Sequence, residues 1–292
     1  MVAIRPLHRG WKDALIDLID SAQRELVVAA PFITAEGTKV VADHLSAAVR
    51  ERGRLEMVTD LSPAHVCDGS LDTDALAGLA SSHSRCSIWH VPALHAKVYI
   101  ADSERAIVTS GNLTAGAFYR NAEYGVEIAD VSLVGQIRAD IADFQAIGAP
   151  VAADSMRNYA DAARTVREAF ARQRAKVDPT LRRAFNDAVR SAETELIRLR
   201  LAGGAMHTVF AKTITILLAR QGPMPTPAIH AMTQQLHPDL CDDTVDRVID
   251  GKNFGKKWKH AVRTAQQQLK KRGIVEYDDR VWRLMVGTKG TA

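Results

Sequence analysis

The 292-residue sequence predicts an α/β fold followed by a smaller α+β unit. Three observations carry this expectation. Strand-length apolar runs alternate with amphipathic helical stretches through the first 150 residues, the pattern of a sheet with helices on both faces. Residues 152–200 are charged and helical, interrupted only by Pro179. From about Met206 the order becomes helix, helix, basic helix and hairpin.

Each element has its own signal. WKDALIDLIDSAQ is an amphipathic helix and ELVVAAPF a strand; EGTKVVADHLSAAVRER is a helix and RLEMVTDL a strand. SLDTDALAGLASS is helical, CSIWHVPALHAKVYIA and RAIVTSG are strands, and GNLTAGAF starts a helix. AEYGVEIAD is a further strand and SLVGQIRADIADFQAIG the closing helix, with Gly148 and Pro150 marking a boundary. This gives a larger domain at 1–150, a helical linker of two long helices around DPT at 151–205, and a small domain at 206–292. In the last, HTVFAKTITILLARQG ends at Gly222, PTPAIHAMTQQLHP opens on proline, and NFGKKWKHAVRTAQQQLKKRG ends at Gly273. IVEYDD and RVWRLM then pair as a hairpin with Asp278 and Asp279 at its turn.

Composition narrows the function. A hydrophobic content of 47% is enough for buried cores. No apolar run approaches the roughly 20 residues of a membrane helix, and residues 1–13 lack a signal-peptide core. A soluble, cytoplasmic protein without a membrane partner is expected. Cys67, Cys86 and Cys241 fit neither a disulfide framework nor a zinc spacing and read as reduced thiols. The net charge of +4 is split: residues 1–150 hold 13 Lys+Arg against 19 Asp+Glu, and residues 151–292 hold 25 against 15. An acidic half joined to a basic half suits a protein whose basic half attracts a polyanion.

The richest run is LHAKVYIADSERAIVTSGNLT, residues 94–114. It reads strand, turn, strand, turn. Alternation along the first strand puts His95, Lys97 and Tyr99 on one face. A histidine and a lysine facing a Ser-Gly-Asn turn make an anion pocket that contains a nucleophile. Imidazole can attack phosphorus, while ammonium, amide and backbone N–H groups hold the non-bridging oxygens. Asp102 lies in the polar turn between the strands.

This spacing resembles the phospholipase D superfamily motif, HxKx(4)Dx(6)GSxN. His95, Lys97, Asp102, Ser110 and Asn112 match it, and Thr109 stands where the family usually has glycine. Asn121, Ala122 and Glu123 supply the family's downstream N-x-E acid. Residues 25–34 look like its first strand ending in a Pro-aromatic loop, and the looser resemblance extends over 1–150. The resemblance implies a covalent phosphohistidine on His95, later resolved by water. Lys97 and Asn112 would bind the equatorial oxygens, with Ser110 adding a hydrogen bond. Glu123 would accept from the other nitrogen of His95 and fix its tautomer. Asp102, a motif residue set in the turn, is read as structural rather than catalytic. Family members commonly join two such motifs. This chain has one, which implies a homodimer whose second His95 is the general acid. No carboxylate cluster for Mg²⁺ stands beside the histidine, so neither metal nor other cofactor is expected.

The C-terminal pattern resembles a winged helix-turn-helix. In its third helix Trp258, Val262, Ala265 and Leu269 share one stripe. Lys256, Lys259, His260, Arg263, Gln267, Lys270 and Lys271 take the opposite side, and no acid occurs from Gly251 to Gly273. Such a face suits a nucleic-acid groove. Trp258 and Trp282 read as core, and His207, His230 and His237 have no ligand spacing.

The expectation is therefore a metal-independent DNA endonuclease, similar to the restriction and phage-defence nucleases of that superfamily. Its expected partners are DNA, a second copy and other components of a defence system. A phospholipase or phosphatidyl transferase is the alternative, and a non-catalytic DNA-binding scaffold the second.

Overall fold

The structure is a computed structural model that describes residues 4–8, 11–175, 179–201 and 204–285. The chain divides into two compact units, residues 1–200 and 201–292.

The first unit is built on one eight-stranded sheet. Its elements are β1 (Ile4–Leu7), α1 (Trp11–Ser21), β2 (Glu25–Ala29), α2 (Ala35–His44), α3 (Ala47–Glu51), β3 (Arg54–Thr59), α4 (Pro63–Cys67), α5 (Thr73–Ser82) and β4 (Cys86–His90). Then come β5 (Val98–Ala101), β6 (Arg105–Thr109), α6 (Ala115–Tyr119), β7 (Gly125–Ile128), α7 (Val131–Ile147), β8 (Ala149–Val151), α8 (Ala153–Ala175) and α9 (Pro179–Leu201). The strand order is β1-β7-β6-β5-β2-β3-β4-β8. β2, β3 and β4 run parallel, and the other pairings are antiparallel.

The central strands are buried on both faces, which explains their unbroken apolar runs. Leu26 and Val28 of β2 enter a core shared with α1, α2, α5 and α8. Val27 and Ala29 enter a second core beneath α7, with Ile100, Ile128 and Ile141.

Several expectations change. Residues 36–52 form two helices, because the chain leaves helical geometry at Leu45 (ψ 121°) and Ser46 caps α3 through Val49 N–H. α4, β1 and β8 had no strong sequence signal. The Gly148–Pro150 boundary lies within the fold, because residues 149–151 pair with β4. The stretch expected as a linker also differs. Met156, Tyr159, Ala160, Ala163 and Val166 of α8 are buried in the first core, so this helix is part of the first unit. The DPT junction begins at Asp178, outside the described residues. With the division after Arg200, the first unit holds 24 Lys+Arg against 26 Asp+Glu and the second 14 against 8. The charge split becomes −2 and +6, smaller than the boundary at 150 implied.

The second unit contains α10 (Met206–Gln221), α11 (Thr226–Leu236), β9 (Asp246–Ile249), β10 (Lys252–Lys256), α12 (Lys257–Lys271), β11 (Val275–Asp278) and β12 (Val281–Leu284). Phe210, Ile214, Trp258, Val262 and Trp282 lie in its buried interior. Met224 bridges to Trp282 through reciprocal backbone bonds of 2.9 and 2.8 Å. The terminal hairpin turns at Asp279 and Arg280, both at positive φ, one residue later than expected. The β9–β10 hairpin was not anticipated. Residues 253–256 read as the start of a helix but belong to β10, which pairs with residues 246–249, since Gly255 (φ +90°) breaks the helical run. Among the described residues, no single helix is long and apolar enough to cross a membrane.

Candidate active site

Strand direction decides which side chains meet. β2, β3 and β4 end at Ala29, Thr59 and His90 on one rim of the sheet. Antiparallel β5 begins beside the end of β2, β6 ends beside the start of β5, and β7 begins opposite the end of β6. His95 and Lys97 before β5, Ser110 and Asn112 after β6, and Glu123 before β7 thus reach the same rim. In open α/β sheets this edge is the usual ligand site.

His95 and Lys97 stand ahead of the strand rather than in it, since β5 starts at Val98. His95 is exposed and Lys97 is buried. The Lys97 ammonium donates to His95 O at 2.9 Å and lies 3.2 Å from each ring nitrogen. Burial pushes the Lys97 pKa down, and the negative charge of Glu123 works against that shift.

The Ser110–Asn112 turn is fastened from beneath. Tyr99 Oη donates to Gly111 O at 3.0 Å. Trp11 covers Gly111, where a Cβ would lie 2.5 Å from the indole. Thr109, in the place of the family's usual glycine, donates to Tyr124 O at 3.1 Å and accepts from Gly111 N–H at 3.2 Å. Its room comes from across the ladder: Thr109 pairs with Gly125, whose added Cβ would meet Thr109 Cβ at 2.6 Å.

Glu123 takes partners other than those expected. It accepts from the Ser110 hydroxyl and from Asn121 Nδ2. Ser110 Oγ in turn accepts from Tyr124 N–H at 3.1 Å. Its observed bonds orient Ser110, not the imidazole. Asn112 Oδ1 is buried with no hydrogen-bond partner among the described residues. A buried acceptor left in that state costs ~1–3 kcal/mol and is characteristic of functional sites.

Asp102 sits on the opposite rim, at the far end of β5. Its carboxylate accepts from the backbone N–H groups of Gln23, Arg24 and Glu25 at 2.6, 2.6 and 2.8 Å. Its φ of +55° is one that aspartate tolerates better than most side chains. The motif aspartate therefore closes the β5–β6 turn and pins the start of β2. Asp102→Ala is expected to cost about 1–3 kcal/mol of stability by removing a charged acceptor. Denaturant melts would show that loss, while turnover per folded molecule stays at the parent's value; a collapse of turnover in folded protein would restore Asp102 to the chemistry.

Sequence reasoning missed a second cluster on the same rim as His95. Asp60, just after β3, is buried. It accepts from Ser62 N–H and Ala93 N–H, both at 3.0 Å, and lies 3.4 Å from His65 Nε2. Burial raises the Asp60 pKa, but hydrogen bonds from His65 and Ser62 and the field of His90 outweigh it and hold the value at about 2. The hydrogen bond to Asp60 raises the His65 pKa against burial. The Phe32 ring meets His65 edge-on at 4.9 Å. Because Ala93 precedes His95 by two residues, Asp60 anchors the loop that carries the imidazole. An aspartate ending a buried strand was the available signal.

On α12, Arg263, Gln267, Lys270 and Lys271 are exposed together. The other expected DNA contacts are engaged inside the unit. Lys256 belongs to β10 and pairs with Asp246 at 2.8 Å. Lys259 Nζ lies 5.3 Å from the Trp258 ring centroid. His260 Nε2 lies 2.7 Å from Phe254 O. The acid-free window hid Asp243 and Asp246, which the fold brings to this end of α12. His237 is buried, with Nε2 2.6 Å from Thr213 Oγ1. His230 packs against Trp258, and burial pushes its pKa down to about 4. Burial likewise pushes the Cys86 thiol up to about 12. Among the described residues no group of three His, Cys, Asp or Glu could hold a metal.

Residues 15–144 match the family model described as cardiolipin synthase, PLD-like domain. No curated protein matches the chain by sequence. Among solved structures, Nuc from Salmonella typhimurium, a phospholipase D family member, is similar at 21% identity and a TM-score of 0.43, over 50% of this chain and 96% of its own. NucT from Helicobacter pylori aligns at 14% identity and a TM-score of 0.37, over 47% of this chain and 91% of its own. The phosphatidylserine synthase of Haemophilus influenzae Rd KW20 aligns at 16% identity and a TM-score of 0.45, over 51% of this chain and 40% of its own. Residues 15–144, the stretch that is similar to the PLD-like domain model, hold His95, Lys97, Ser110, Asn112 and Glu123.

Proposed function

We propose that the protein is a metal-independent DNA endonuclease acting through a phosphohistidine in a homodimeric site. The observation that carries this reading is the exposed His95 imidazole, held against the Lys97 ammonium on the rim where Ser110 and Asn112 converge. A ring nitrogen of His95 attacks phosphorus, and the new N–P bond replaces the bond to the leaving oxygen. His95 of the partner subunit gives that oxygen its proton, a step typically contributing ~10²–10⁴-fold. The same imidazole then takes a proton from water, whose oxygen displaces His95 and leaves a phosphomonoester. Lys97 and Asn112 stabilise the charge that builds on the equatorial oxygens. Ser110 adds a hydrogen bond to the same group once its hydroxyl turns from Glu123, to which it donates in this structure.

The second unit supports DNA as the substrate. Its three helices and terminal hairpin, with the Met224–Trp282 bridge, resemble a winged helix-turn-helix, except that the β9–β10 hairpin stands between α11 and α12 where that motif has a short turn. Its net charge is +6, and the exposed face of α12 offers Arg263, Gln267, Lys270 and Lys271. Restriction or phage defence, with other components of such a system as partners, is the setting this architecture suits.

One experiment tests the reading. Purified protein is incubated with plasmid, single-stranded DNA, RNA and phosphatidylcholine, each with and without EDTA, and its mass is followed by light scattering. DNA cleavage that persists in EDTA is expected from a species of twice 31.9 kDa. Activity lost to EDTA and restored by Mg²⁺, a fully active monomer, or turnover of the lipid alone would each overturn it.

A further inference from the structure

The β9–β10 hairpin projects beside the N-terminal end of α12, and its residues are exposed or half-exposed throughout. Ile249 and Phe254 are 43% and 46% exposed. Two strands alone are marginal in water, and large apolar side chains left in solvent add nothing to stability. The hairpin is nevertheless held firmly. Lys257 N–H donates to Val245 O at 3.0 Å, and His260 Nε2 lies 2.7 Å from Phe254 O. Asp246 binds both Lys256 and Asn253, at 2.8 and 2.7 Å.

Register separates the two faces. Ile249 pairs with Lys252, so alternation places Arg247, Ile249, Lys252 and Phe254 on one face. Lys252 Nζ lies 5.9 Å from the Phe254 ring centroid. On the other face Asp246, Asn253 and Lys256 satisfy one another beside the exposed Val248. Asp250 is set apart in the turn with Gly251, at φ values of +50° and +73°.

We propose that the face bearing Arg247, Ile249, Lys252 and Phe254 is a second contact for duplex DNA, continuous with the exposed face of α12. Phe254 and Ile249 wedge against sugar and base edges in a groove, and Arg247 and Lys252 neutralise flanking phosphates. The proposal rests on the reading of the second unit as a DNA-binding module. Charge selects the occupant. Two cations flank the apolar pair, and α12 adds cations, amides and Thr264 but no acid to its solvent face, so a second copy docked here would oppose like charge with like.

The test uses the full chain and a short duplex titrated across a salt series. Three variants are compared with the parent: Phe254→Ala, Lys252→Ala, and the α12 variant with Lys259, Arg263 and Lys270 all changed to Ala. Phe254→Ala should weaken binding by about tenfold or more and leave the salt slope unchanged, because an apolar contact releases no counterion. Lys252→Ala should flatten the slope by ~0.9 units, and the α12 variant by ~2 units from the exposed Arg263 and Lys270, rising to ~3 only if Lys259 leaves Trp258 for a phosphate. Unaltered thermal melts establish that each variant is folded. If the α12 variant loses affinity while both hairpin variants bind like the parent, the hairpin proposal fails and the DNA-binding reading stands. If no variant changes affinity, both fall. If Phe254→Ala changes only the mass seen by light scattering, the hairpin is a contact between copies and the proposal is wrong.

Discussion

His95→Ala is expected to lower phosphodiester turnover by on the order of 10⁴–10⁶-fold, the range seen when a covalent nucleophile is removed. The side chain is exposed, and its ring faces Lys97 rather than either core. Its removal creates no cavity, so the melting temperature and DNA affinity should stay at the parent's values. Single-turnover cleavage of a labelled duplex, with a melt and a binding titration on the same preparation, separates these effects. Trapping a phosphorylated species with the parent and not with the variant would identify the residue that carries the phosphoryl group. Near-parent turnover by folded His95→Ala would remove the nucleophile assignment and the dimer logic that depends on it.

Asp60→Asn is expected to produce the largest loss of stability among isosteric changes in the first unit. The carboxylate is buried, accepts from Ser62 and Ala93, and faces His65 and His90. Its folded pKa of about 2 lies below the reference value of 3.8. A depressed carboxyl pKa contributes stability above the unfolded value and loses it as pH falls through the folded one. The difference corresponds to ~2–3 kcal/mol at neutral pH, fading between roughly pH 4 and 2. In a unit of this size that is a fall of ~5–10 °C in melting temperature. The paired His65 behaves oppositely: its raised pKa adds stability below the unfolded value of 6.5, and this is lost as pH rises through the folded one. Melts of parent and variant from pH 3 to 8 check both signs. Parent-like melting of Asp60→Asn at pH 7 would show that the cluster does not hold the His95 loop.

Much of the first unit was legible because local and global signals agree there. β2, β3 and β6 are apolar runs bounded by polar turns, and α1 and α7 carry clear amphipathic periods. The motif was legible because its residues lie within a span of 18 positions, His95 to Asn112, joined by one antiparallel turn. What failed was non-local. Whether Glu123 would reach His95 or Ser110 depended on the β6–β7 register. Asp60 and His65 meet the site only because parallel strands end on one rim. α8 read as a linker because its charged face dominates its average hydropathy, while Tyr159 and Ala163 on the other face are buried. The basic residues around α12 looked free because sequence proximity hid Asp246, whose strand pairs back on them.

Thr109 and Gly125 face each other across the β6–β7 ladder, and Thr109 keeps its side chain because 125 has none. The reverse does not hold. A β-carbon at 125 would meet Val108 O at 2.6 Å and Thr109 Cα at 2.8 Å as well as Thr109 Cβ at 2.6 Å, so no smaller residue at 109 makes room for it. Glycine at 125 should therefore persist in lineages descended from this sequence whatever 109 becomes, while 109 can change at the cost of the hydroxyl that accepts from the Gly111 amide.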